Sequence, residues 1–226
     1  MLDLTTADGR IIAAALRLAG ERPWADVTLS DIAKAAQVSL VELRRAFASK
    51  ADILAAFVRA VDDAVLERAP ERSREAPSGQ SPRDALFDVV MSRFDVLAAY
   101  KPALKSITAT WPTDPALLRA LSLSQAWMLR AAGIPAEGLE GQVRSVGLGA
   151  LYASVFRTWL QDDDAGLART MAALDRRLRR GESTLSSIDD FRKKLCGLGD
   201  AFANMCKPAS PPPSSSGATN GAPPAA

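Results

Sequence analysis

The segment 28–50, TLSDIAKAAQVSLVELRRAFASK, carries the pattern that decides the fold. It predicts two short helices, the first over Leu29–Ala36 and the second beginning after Ser39. Thr28 and Ser39 are residue types that cap helix N-termini with their hydroxyl groups. Only residues 37–38 separate the first helix from the second cap, so the connection is too short for anything but a helix-turn-helix.

The second helix of such a motif enters the major groove of DNA. Its arginines can hydrogen-bond guanine or phosphate, whereas its exposed leucine and valine can touch only thymine methyl groups. The motif therefore predicts double-stranded DNA as a partner. The predicted contact residues are the two caps, four residues of the second helix and the lysine that follows it: Thr28, Ser39, Leu40, Val41, Arg44, Arg45 and Lys50.

The charge of the N-terminal segment is small for a DNA-binding surface. Residues 1–50 hold seven basic and six acidic residues, which leaves a net charge of +1. Glu42 lies among the exposed residues of the second helix, and we expect phosphates to repel it. Because phosphate neutralisation supplies much of the affinity for DNA, Arg44, Arg45 and Lys50 carry most of the predicted contact.

The composition excludes most catalytic functions. The chain of 226 residues contains no histidine, which removes histidine-activated nucleophiles, histidine metal sites and the usual general base. No nucleophile and base converge elsewhere in the pattern, so we predict no enzyme, catalytic residue, metal or cofactor. Cys196 and Cys206 fit neither a metal knuckle nor a disulfide framework. The sequence also shows no secretory leader and no apolar run long enough to span a membrane. Together with the two isolated cysteines, these features favour a cytoplasmic protein.

The remainder of the chain is also predicted to be helical. Apolar residues recur at spacings of three and four, which is typical of helices and not of strands. The sequence therefore predicts an all-α protein with a helix-turn-helix domain over 1–50 and a second helical domain over 51–181. A terminal amphipathic helix is expected over 187–206, and the polar, proline-rich residues 207–226 are expected to be disordered. The other predicted helices cover about 7–20, 50–69, 82–100, 102–111, 115–132, 139–161 and 165–180.

The helix-turn-helix resembles that of the TetR family of bacterial transcriptional regulators. The matching residues are Thr28, Asp31-Ile32-Ala33, Ala36, Val38-Ser39, Leu43, Phe47 and Ser49-Lys50. The resemblance implies a TetR-like fold, a ligand-responsive repressor that binds operator DNA, and a homodimer formed through residues 139–180. In that family a glycine usually stands at the position of Gln37, so we expect a positive φ and some strain at this residue.

The same resemblance implies that the C-terminal domain binds a small apolar ligand or lipid. Such cavities are lined mainly by apolar and aromatic side chains. The residues predicted to line it are Phe87, Met91, Phe94, Trp111, Trp127, Tyr152 and Phe156.

A second resemblance leaves a different function open. About residues 85–206 are similar to the ubiquinone-biosynthesis accessory branch of the same fold, which implies a protein that binds isoprenoid lipid and does not bind DNA. Apolar residues recur at spacings of three and four along 187–206, beside a basic cluster. That pattern is typical of a helix lying on a membrane surface, so peripheral membrane contact through 187–206 is part of this alternative.

Overall fold

The computed structural model describes residues 3–68, 80–110 and 114–181. In these ranges the chain forms helices and no strand, which confirms the all-α class. None of the described helices is long and apolar enough to cross a membrane. Residue Trp111, the predicted terminal helix 187–206 and the tail 207–226 lie outside the described residues. The helices are α1 Ala7–Glu21, α2 Leu29–Ala36, α3 Leu40–Ala46, α4 Lys50–Arg68, α5 Pro82–Leu97, α6 Lys101–Ala109, α7 Pro115–Ala131, α8 Gly138–Leu160 and α9, residues 168–181.

Helices α1 to α3 contribute to a core that continues into α4 and the C-terminal helices. It contains Ile11 and Ala15 of α1, Ile32 of α2 and Leu43 of α3, and all four are at most 2% exposed. Val38 in the turn is half-buried and packs against the same core. The apolar residues of the helix-turn-helix therefore pack inward.

The turn between α2 and α3 contains a residue in the left-handed region. Gln37 has φ 56° and ψ 43°, as expected from its position. A residue with a Cβ is strained in this conformation, whereas glycine adopts it readily.

We therefore expect Gln37→Gly to raise the free energy of unfolding by about 0.5–1 kcal/mol. Gln37→Val should lower it, because a β-branched residue tolerates positive φ least. Urea unfolding of the full chain measures both. Equal stabilities for the two variants would show that backbone strain does not contribute at this position.

Helix α4 joins the helix-turn-helix to the C-terminal helices. It packs against α1 at one side and against α5 and α7 at the other. Its buried residues lie along most of its length, from Ala51 to Val65. Helix α4 therefore shares buried surface with both the N-terminal and the C-terminal helices.

Helix α6 makes a second connection to the N-terminal region. The Ser106 hydroxyl donates to the backbone oxygen of Arg22 at 3.1 Å and accepts the N–H of Trp24 at 2.9 Å. These two hydrogen bonds fix the chain between α1 and α2 to α6. Helix α6 also packs along α1.

Two aspartates of the acidic run 162–164 cap α9. Asp162 Oδ2 accepts the N–H and the hydroxyl of Thr170 at 2.8 and 2.7 Å, and Asp164 Oδ2 accepts the N–H of Ala168 at 3.2 Å. The helix begins at 168 and not at 165, because the chain first turns through Leu167, whose φ is 52°.

Candidate DNA interface and ligand cavity

Both helices of the helix-turn-helix begin with a reciprocal capping box. The Thr28 hydroxyl accepts the N–H of Asp31, and the Asp31 carboxylate accepts the N–H of Thr28, each at 3.1 Å. Ser39 and Glu42 repeat the arrangement at 3.1 and 2.7 Å. Each box satisfies backbone donors that the first turn of a helix leaves unpaired. Thr28 and Ser39 therefore hold α2 and α3 in position.

Glu42 has a different role from the one its exposure suggested. Its carboxylate bends back to the Ser39 N–H, and this hydrogen bond is the main reason that the pKa of Glu42 is lowered. The side chain is thus committed to the start of α3. From the sequence alone we expected phosphates to repel this exposed carboxylate. In the structure its hydrogen bond to the Ser39 N–H keeps it at the start of α3.

The outer side of α3 presents the other predicted contact residues. Leu40 and Val41 are 55% and 59% exposed, and Arg44 and Arg45 are also exposed. Leu43, on the opposite side of the helix, is buried in the core. The helix is therefore anchored by its inner side and offers two arginines beside two aliphatic side chains at its surface.

Lys50 is turned inward, contrary to the prediction that it forms part of the DNA surface. Its ammonium group donates to the backbone oxygens of Trp24 and Val27 at 2.8 and 2.7 Å and lies 4.6 Å from the centre of the Trp24 ring. Burial lowers the pKa of Lys50. These contacts fasten the first turn of α4 to the loop before α2. The sequence pattern could not indicate this, because the partners lie more than twenty residues away.

The capping boxes should make the helix-turn-helix sensitive to acid. Hydrogen bonds from Thr28 and Ser39 lower the pKa values of Asp31 and Glu42 from ordinary values of 3.8 and 4.5. A carboxyl group with a lowered folded-state pKa contributes stability above its unfolded pKa and loses it as the pH falls through the folded value. We expect the Tm difference between the wild type and an Asp31→Asn, Glu42→Gln variant to be largest near neutral pH.

Circular dichroism melts from pH 7 to pH 3 measure this difference, which should narrow as the pH falls. Comparison with the variant cancels the titration of the other carboxyl groups. A difference that stays constant over this range would exclude the capping carboxylates as its source.

The C-terminal helices surround a largely apolar, partly open cavity of about 400 Å³. Its wall is built by helices α4 to α8, and α4 contributes the side of the cavity that is continuous with the helix-turn-helix. Most lining residues are aliphatic, for example Leu54 and Val61 of α4, Ile107 of α6 and Leu121 of α7. A volume of this size fits a small organic molecule.

Two of the seven residues predicted to line this cavity do so, Tyr152 and Phe156. Phe94 instead lies completely buried in the core, stacked 5.5 Å from the ring of Tyr152 and 5.2 Å from that of Trp159. Trp127 is 47% exposed and packs its ring under the guanidinium of Arg130, 5.0 Å away.

Two other predicted residues lie on α5, outside the cavity wall. Phe87 and Met91 are half-buried and pack against the core. The predicted residues are six aromatic side chains and one methionine, whereas the wall is built mainly from aliphatic side chains of α4, α6 and α7. Helical periodicity marks those side chains as buried, but it does not separate a cavity wall from a filled core.

A buried polar network lies beside the cavity and joins four helices. The Asp62 carboxylate of α4 pairs with the Arg93 guanidinium of α5 and accepts the hydroxyl of Ser124 of α7 at 2.7 Å. Arg93 Nε donates to the Tyr152 hydroxyl of α8 at 3.2 Å. The arginine and the aspartate balance each other in charge, so the cavity wall gains no net charge from them.

A second, more polar depression adjoins the cavity. Its volume is about 610 Å³, and it shares Thr108, Ala153 and Phe156 with the cavity wall. Lys105 and Arg157 lie along it. The two spaces are therefore neighbours, one apolar and the other bordered by basic side chains.

The surface of α8 carries an apolar stripe. Leu139, Val143 and Val146 are 77%, 54% and 75% exposed and follow one another at spacings of four and three. Met171 of α9 is 38% exposed. Contiguous exposed apolar side chains of this kind mark surfaces that associate with another molecule.

Residues 11–57 match the sequence model of a family described as bacterial regulatory proteins, tetR family. Over these residues the chain is similar to the TetR family. The matched residues include most of α1, the capped helix-turn-helix and the first turns of α4. The matched segment thus ends inside α4, the helix that also forms a wall of the cavity.

The fold of the chain is also that of solved TetR regulators. A TetR transcriptional regulator from Rhodococcus sp. RHA1 is 23% identical, with a TM-score of 0.57 over 76% of this chain and 94% of that one. The TetR transcriptional regulator from Nitrosomonas europaea ATCC 19718 is 22% identical, with a TM-score of 0.59 over 77% and 97%. None of the curated proteins matches. The similarity to the ubiquinone-biosynthesis branch stays a prediction.

Proposed function

We propose that this chain is a transcriptional repressor that binds operator DNA as a homodimer and releases it when a small ligand enters the cavity. The observation that carries this proposal is the exposed side of α3. The Ser39–Glu42 capping box and a buried Leu43 hold this helix, and Arg44 and Arg45 stand on its outer side. That arrangement suits insertion into a major groove, where arginine recognises guanine.

The proposed dimer uses residues 139–180. The apolar stripe Leu139, Val143 and Val146 on α8, together with Met171 on α9, is exposed among the described residues and supplies apolar surface for such a contact. A two-fold dimer uses the same patch on both copies. It would present two copies of α3 to half-sites about 34–36 Å apart, one turn of DNA.

The proposed ligand response passes through the shared helices. Leu54 and Val61 of α4 and Ile107 of α6 line the cavity. Helices α4 and α6 also pack against α1 of the N-terminal domain. In addition, Ser106 of α6 hydrogen-bonds the chain between α1 and α2. A ligand that binds more tightly when these helices are shifted would favour a separation of the two α3 helices that no longer fits the operator.

Fluorescence anisotropy with DNA from upstream of the chain's own gene tests the proposal. We expect specific binding that weakens steeply with salt, because phosphate contacts release counterions. A scrambled duplex of the same length and composition is the control. If the upstream DNA binds no better than the scrambled duplex at low salt, the chain is not a regulator of its own operon.

A further inference from the structure

One side chain in the cavity wall has an unused hydrogen-bonding group. Gln125 of α7 is 5% exposed and lines the cavity. Its Nε2 donates to the backbone oxygen of Leu121 at 3.2 Å, whereas its Oε1 has no hydrogen-bond partner among the described residues. A buried carbonyl oxygen without a donor is unfavourable, so it calls for a ligand that supplies one.

The orientation of this amide follows from its neighbour. If the amide were reversed, its oxygen would face the Leu121 carbonyl oxygen, and two acceptors would meet. The oxygen is therefore the group left without a partner. On α8, Gly149 also lines the cavity, and a Cβ at this position would lie 3.6 Å from Gln125 Cγ. That distance is an ordinary van der Waals contact. The Oε1 atom is itself buried, so a donor in the cavity reaches it by a turn of the terminal amide, whose last torsion is broad and not confined to one narrow rotamer.

The other polar groups of the wall are mostly committed. The hydroxyls of Ser122, Ser145 and Thr108 donate to backbone oxygens one turn earlier in their own helices. Arg93 is neutralised by Asp62. Tyr152 accepts from Arg93, and burial raises its pKa, so its hydroxyl keeps its proton. The wall thus combines an apolar surface, a balanced ion pair and one unpaired acceptor.

We propose that the cavity binds an uncharged, mainly apolar molecule whose hydroxyl or N–H group donates a hydrogen bond to Gln125 Oε1. The inference rests on the proposed function of the cavity as a ligand site and specifies its chemistry. A carboxylate ligand would place an acceptor against the Gln125 oxygen and add a charge that the Arg93–Asp62 pair does not balance. An ether of equal size would fill the cavity but leave the oxygen unpaired.

Three probes of nearly equal size separate these cases. Decan-1-ol can donate a hydrogen bond, 1-methoxynonane has the same number of heavy atoms but can only accept, and decanoate is an anion. Isothermal titration calorimetry on the full-length protein gives their affinities. We expect the alcohol to bind about tenfold more tightly than the ether, and the carboxylate to bind most weakly.

Two variants assign the preference to Gln125. Gln125→Met keeps the length of the side chain but removes the acceptor, so the alcohol and the ether should bind it equally. Ser122→Ala is the matched control, because the Ser122 hydroxyl already donates to the Leu118 oxygen at 2.9 Å. The preference for the alcohol should survive in this variant.

The wild-type affinities decide the proposal even if Gln125→Met does not fold. It is overturned if the ether equals the alcohol, if no probe binds, or if decanoate binds best. The last result would point to Lys105 and Arg157 in the neighbouring depression. The titrations contain no DNA, so they can fail while operator binding succeeds, or succeed while operator binding fails.

Discussion

Replacing Arg44 and Arg45 together by alanine is expected to abolish operator binding without unfolding the protein. Both side chains are exposed on α3, whereas the contacts that hold the helix come from its caps and from Leu43. Arginine contacts to DNA are worth about 1–3 kcal/mol each. A homodimer would lose four of them, so the affinity should fall by at least about a thousandfold.

A second pair of arginines provides the matched control for this variant. Arg59 and Arg68 are exposed on α4, beyond the residues of the helix-turn-helix. Arg59→Ala with Arg68→Ala removes the same charge from the protein, but it should change the anisotropy titration only slightly. Circular dichroism checks that both variants fold. Equal losses of affinity in the two variants would mean that the net charge of the protein, and not α3, determines DNA binding.

The helix-turn-helix could be predicted from sequence because its signals are local. Thr28 and Ser39 each lie three residues before the group that they cap, and a periodicity of three to four separates inner from outer residues. The left-handed conformation of Gln37 was expected from the resemblance, because a glycine usually stands at this position in the TetR family. These features depend on residues close together in the chain, which a sequence pattern records.

The orientation of exposed charges could not be predicted in the same way. Lys50 donates to the backbone oxygens of Trp24 and Val27. Its direction therefore depends on the fold, which places the loop before α2 beside the start of α4. Glu42 was predictable in principle, because a glutamate three residues after a serine cap is the capping-box pattern. Of the three basic residues predicted to contact DNA, Arg44 and Arg45 are therefore the two that stand exposed on α3.

The cavity shows a further limit of sequence patterns. Asp62, Arg93, Ser124 and Tyr152 lie on four different helices and meet only in the folded chain. In the sequence Asp62 and Arg93 look like ordinary charged residues on helix surfaces. Nothing in the spacing along one helix shows that a charge on it is buried against a neighbouring helix.

The largest expected loss of stability follows from removing Asp62. Asp62 is 7% exposed, and its carboxylate pairs with the guanidinium of Arg93, which is 3% exposed. Burial alone lowers the pKa of Arg93, but Tyr152 and Asp62 raise it overall, so the guanidinium stays charged. Asp62→Ala would leave this charge buried without a counterion. Breaking such a pair costs about 3–5 kcal/mol.

That loss is a large part of the total stability of a domain, which is about 5–15 kcal/mol. Urea unfolding at neutral pH and constant protein concentration measures it. Ser124→Ala is the matched control, since it removes one neutral donor to the same carboxylate and leaves the ion pair in place. It should lower the free energy of unfolding by about 1 kcal/mol.

A double variant separates the loss of the charge pair from the loss of packing. Asp62→Leu with Arg93→Met removes both charges and keeps apolar volume between α4 and α5. Replacing a buried ion pair by apolar residues is often nearly neutral, so we expect most of the stability lost in Asp62→Ala to return. If the double variant is as unstable as Asp62→Ala, the uncompensated charge is not the cause. The hydrogen bonds from Ser124 and to Tyr152 would then hold the four helices around the cavity.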